Sequence, residues 1–118
     1  GPVGAWLAQK QFNVQDEEIL NAIRSHTTGR VGMTLFEMAV FVEDAIEQGR
    51  EEYPGLKKIR WLAERSLPCA VLCSIEGTRK YIESNDDRGL DPASLATEEY
   101  IRSLLTEQEK QWMCASIP

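Results

Sequence analysis

Apolar side chains recur at three- and four-residue spacing along this chain, and Val, Ile and Thr never gather into an alternating run. That pattern argues against strands and for an all-α chain of about five to seven helices. A first helix is expected over 2–12, with Pro2 in its opening turn, Val3, Trp6 and Leu7 on successive turns, and Asn13 closing it. Asp16 reads as the N-cap of a second, which turns Ile19, Leu20 and Ile23 inward and ends near His26. Residues 27–32, Thr-Thr-Gly-Arg-Val-Gly, form a turn. Thr34 and Glu37 then make a capping box for a strongly apolar helix to about Ile46, stopped by Gly49. Further helices are expected over 56–64, from Ser66 with Pro68 to Ile82 with Gly77 a weak spot, and from Pro92 or Thr97 towards Leu105. Residues 85–89 read as a turn. The tail, 106–118, is either helical or frayed.

One domain is all that 118 residues allow. No apolar run approaches the ~20 residues of a membrane span. With 13 basic and 19 acidic side chains the net charge is −6, which disfavours nucleic acid as a partner. An anion would instead need local Arg, backbone N–H groups or a metal. Cys69, Cys73 and Cys114 contain no CxxC pair. Cys69 and Cys73 stand four apart on a helix, a spacing open to a metal, although two small buried side chains are the plainer reading. With no disulfide framework, the chain is expected in the cytoplasm. Trp61, Trp6 and Phe41 read as core, and the acidic runs at 16–18 and 51–52 as caps and solvated faces.

Two polar residues fall on apolar faces. His26 follows Ile23 by three and Ile19 by seven, and Asp44 follows Phe41 by three and Val40 by four. A buried Asp44 needs a cation, donors or a metal. His26 reads either as a hydrogen-bonded histidine of the last helical turn or as a ligand. Asp44 reads either as an ion-pair partner of Arg50 or Arg30 or as a ligand. Together, joined by a loop bearing Thr27, Thr28 and Arg30, they outline half a metal site with phosphate-binding groups beside it. Asp44 is the carboxylate expected to face furthest inward. The P-loop, GxSxG and HExxH templates are all absent from the sequence.

The runs His26-Thr27-Thr28-Gly29-Arg30-Val31-Gly32-Met33-Thr34 and Phe41-Val42-Glu43-Asp44-Ala45-Ile46-Glu47-Gln48-Gly49-Arg50, followed by Pro54-Gly55, Ile59-Arg60 and 91–97 (Asp-Pro-Ala-Ser-Leu-Ala-Thr), resemble the YqeK family. Gln48 stands where that family usually has proline, and Glu43 where it has a small residue. The resemblance covers 1–105 and implies the C-terminal part of an HD-type helical bundle. It also implies hydrolysis of diadenosine tetraphosphate into two ADP at a divalent metal site, most simply iron. By the same resemblance Asp44 is the metal ligand, and His26, Thr27, Arg30, Arg50 and Ser94 hold the nucleotide. The family's His-Asp pair and an earlier ligand histidine are expected N-terminal to the matched segment, which leaves the chain alone weakly active or inactive. It would then need a complementing N-terminal segment or a second copy of itself. The competing reading is a non-catalytic helical module that self-associates or binds a protein partner.

Overall fold

A computed structural model describes residues 16–48, 55–85 and 89–117. Among these, six α-helices and no strand are present: α1 (Asp16–Ser25), α2 (Leu35–Gln48), α3 (Leu56–Ala63), α4 (Leu67–Asn85), α5 (Pro92–Leu104) and α6 (Glu107–Cys114). The expected helix over 2–12, the Gly49 stop and Arg50 lie outside the described residues.

The fold is organised around α4, which touches α2, α3, α5 and α6, while α1 packs on α2. Its run Cys69, Ala70, Val71 and Leu72 is buried on every side. A helix surrounded by neighbours has no solvent face to keep polar, so an unbroken apolar run is what the position requires. Met38, Phe41 and Val42 of α2, Ile59 and Leu62 of α3 and Ile101 of α5 close the core around it. Burial pushes the Cys69 and Cys73 thiols up from their ordinary value. The two sulfurs are therefore held as thiols, Cys69 as a core side chain.

The helix ends follow local chemistry. Ser66 caps α4, its Oγ accepting from the Cys69 N–H at 3.3 Å. Gly77 is exposed and α4 continues through it for three residues beyond the expected end at Ile82. Of the two starts open for α5, Pro92 is the one adopted. Asp91 Oδ1 accepts from the Ala93 N–H at 2.8 Å, and a proline in the first turn forfeits no helical hydrogen bond. The tail is helical rather than frayed over 107–114, because Thr106 and Glu109 form a reciprocal capping box. Trp112 and Met113 then pack against the core, and Lys58 Nζ donates to the Met113 carbonyl.

One inward expectation is corrected. Ile19 is buried and Ile23 half-buried, but Leu20 is 49% exposed. The buried stripe of α1 runs through Ile19, Ala22 and Ser25, and Leu20 lies about 100° round the helix from Ile19.

Candidate functional site

The 26–34 loop between α1 and α2 carries the polar residues singled out in the sequence. At its start His26 Nδ1 donates to the Ile23 carbonyl at 2.5 Å, a bond that keeps the proton on Nδ1. His26 Nε2 is left as an acceptor, 3.4 Å from the Thr27 hydroxyl. His26 is thus a half-buried histidine one residue past the end of α1, tied back to its last turn. Gly29 donates its N–H to the Ser25 carbonyl at 2.8 Å and takes φ +72°, the left-handed region that lets the chain turn out of α1. Gly32 repeats that conformation at φ +81°.

The loop is seated on α5 at one point. A Cβ placed on Gly29 would stand 2.5 Å from Thr97 Cγ2, so only a glycine lets the backbone lie there. Thr97 is fully buried, its hydroxyl donating to the Ala93 carbonyl at 2.7 Å, and Ser94 is buried one turn earlier on the same face. Two stretches distant in sequence, 26–32 and 94–97, are therefore packed together. His26 and Thr27 sit on one of them and Ser94 on the other.

The second tie of the loop was not foreseen. Arg30 Nε donates to Glu37 Oε2 at 2.6 Å and Arg30 Nη2 to Glu37 Oε1 at 2.5 Å, a two-pronged pair. Glu37 is 1% exposed, which corrects the expectation that Asp44 faces furthest inward; Asp44 is half-buried. The buried face of α2 runs through Glu37, Met38, Phe41 and Val42. Asp44 follows Glu37 by seven residues, on the same stripe and about 10 Å along the axis, where the stripe nears the surface. Thr34 caps α2 as expected, accepting from the Glu37 N–H at 3.1 Å and donating to Glu18 Oε1 at 3.1 Å. The capping box is only half made, because the Glu37 carboxylate turns to Arg30 instead of back to the Thr34 N–H. Arg30 is therefore Glu37's partner rather than Asp44's. Arg50, the other partner considered for Asp44, lies outside the described residues. The bond to Glu37 raises the Arg30 pKa further above its ordinary value, so the cation is permanent.

A second buried acid was also missed. Glu98 on α5 is buried and paired with Arg79 of α4. Its only sequence signal was a charge falling at the spacing of the inward face of α5.

Among the described residues no three His, Cys, Asp or Glu side chains converge, so these residues alone do not fit a metal ion. An open cleft of about 370 Å³ lies between α4, α5 and α6, over Leu72, Leu105 and Met113. None of its lining belongs to the 26–34 loop.

No family model matches the chain. It is similar to the symmetrical bis(5'-nucleosyl)-tetraphosphatase of Bacillus subtilis, at 49% identity over 81 residues, 69% of this chain and 43% of that protein. The enzyme of the same name from Halalkalibacterium halodurans is 36% identical over 108 residues, 92% of this chain and 55% of that protein. Among solved structures, a predicted HD superfamily hydrolase involved in NAD metabolism from Clostridium acetobutylicum superposes with a TM-score of 0.66 at 35% identity. That likeness covers 86% of this chain and 53% of the other. The chain spans about half the length of the curated relatives it matches. Identity of this extent, with a shared helical architecture, assigns the chain to the YqeK-type family of the HD hydrolase superfamily.

Proposed function

We propose that this chain is the nucleotide-holding part of a symmetrical dinucleoside tetraphosphatase. The reaction adds one water across the central phosphoanhydride of diadenosine tetraphosphate and releases two ADP. In this reading His26, Thr27 and Ser94 hold the nucleotide, and Arg30 and Arg50 offset charge on the ADP that leaves. The observation that supports it is the seating of Gly29 on Thr97, which joins the loop bearing His26 and Thr27 to the helix bearing Ser94. Kinship to tetraphosphatases over this same stretch supplies the substrate class. The family resemblance further implies a divalent cation, iron, with Asp44 as the ligand this chain contributes. The described residues do not complete a coordination shell, and no step is derived through the ion. Three free thiols accord with a cytoplasmic setting.

The test mixes the chain with the N-terminal half of the Bacillus subtilis relative, in the presence of iron(II) or manganese(II), and separates the products by chromatography. ADP as the sole nucleotide product is expected from the mixture and little from either part alone. AMP with ATP in equal amounts, or no product from a folded mixture, contradicts the reading. If the complement is instead a second copy of this chain, ADP forms without the added half and the rate rises with protein concentration.

A further inference from the structure

The Arg30–Glu37 pair fixes more than the position of a loop. A carboxylate buried as deeply as Glu37 is costly without partners; Arg30 supplies its two short hydrogen bonds, and the Ser25 hydroxyl adds a long one to Oε2 at 3.5 Å. A guanidinium is planar and has two usable edges. Glu37 consumes the Nε/Nη2 edge, which sets the plane and turns the Nη1/Nη2 edge the other way. That edge has one long contact, from Nη1 to the Val31 carbonyl at 3.4 Å, and the Arg30 side chain is 40% exposed. It emerges from the loop that bears His26 and Thr27 and is seated on Thr97, one helical turn from Ser94. A planar fork held open to solvent suits two oxygens of one phosphate.

We infer that Glu37 is a positioning residue, holding the Arg30 guanidinium so that its Nη1/Nη2 edge receives a phosphate of the bound nucleotide. The inference rests on the nucleotide-binding reading above. Two consequences separate it from a merely structural salt bridge. Arg30→Lys still neutralises Glu37 but replaces a fork by a point charge, so it should spare the fold and weaken the nucleotide. Glu37 acts only through Arg30, so its effect on affinity should vanish once Arg30 is changed.

The experiment measures ADP binding by calorimetry for the native chain, Arg30→Lys, Glu37→Gln and the double variant, each with a thermal melt. The expected result is a roughly tenfold rise in Kd for either single change, with the double variant no weaker than Arg30→Lys alone. If Glu37→Gln does not fold, Arg30→Lys decides: native-like affinity in a folded Arg30→Lys protein overturns the inference. Native-like affinity in folded Glu37→Gln, or losses that multiply in the double variant, overturn it as well. A native chain that binds no ADP overturns the functional reading and this inference with it, which distinguishes the two failures.

Discussion

Gly29 concentrates two demands on one residue. Its φ of +72° costs an L side chain about 1–2 kcal/mol, and any Cβ there collides with Thr97. Gly89, at φ +76°, makes the first demand without the second, since nothing stands within 4 Å of its missing Cβ. Gly89→Ala is therefore expected to lose about 1 kcal/mol in chemical denaturation, and Gly29→Ala at least about 3. Placing Gly29→Ala on a Thr97→Ala background should recover part of the difference and leave the backbone cost. Equal losses at the two glycines would show that the seat on α5 carries no load. The turn itself was legible in residues 27–32, but the seat was not, because it depends on a helix some seventy residues away. Glu37 was hidden for a related reason. Three residues after Thr34 it satisfies a capping rule completely, and that local explanation conceals the longer bond to Arg30. His26 shows the opposite case, since its bond to the Ile23 carbonyl is the local outcome its place at a helix end suggested.

At the scale of elements, α6 is held by one acid shared between two caps. Glu109 accepts from the Thr106 N–H at 3.0 Å within its own helix and from the Ser66 hydroxyl at 2.5 Å across to the start of α4. The Ser66 bond, followed by the Thr106 backbone bond, holds the Glu109 carboxyl below its ordinary value of 4.5. A carboxyl depressed in the folded state contributes stability above its unfolded pKa. That contribution is lost as pH falls through the folded one. Acidification below about pH 4.5 should therefore loosen α6. The Trp112 emission, taken as the difference between the native chain and Trp112→Phe, should shift over that range, and Ser66→Ala should move the shift to higher pH. Emission that changes only together with the far-ultraviolet helical signal would mean α6 has no separate acid step. The helices themselves were largely legible, since spacing and punctuation locate α2 to α5 within a few residues. The state of the tail was left open because a half-polar helix of eight residues owes its stability to the surface it meets: Ser66, Lys58 and the core beside Trp112.

For the whole molecule, the central α4 sets α2 and α5 on the same bundle, and the loop from α1 closes the gap between them. Residues recognised as motifs in separate stretches, 26–34 and 91–97, are joined through that packing where Gly29 meets Thr97. Chemistry-bearing residues could be picked from the sequence, but their adjacency could not, because helix periodicity states which face is buried and not which helix covers it. In the proposed function this loop and α5 together receive the nucleotide. Titrating ADP into the nitrogen-15-labelled chain and following backbone amide shifts tests it most directly. The largest perturbations are expected on 26–32 and 90–95, with Arg30 and Ser94 among them. Perturbations centred on the cleft around Leu72, Arg102 and Lys110, with 26–32 unmoved, would contradict it.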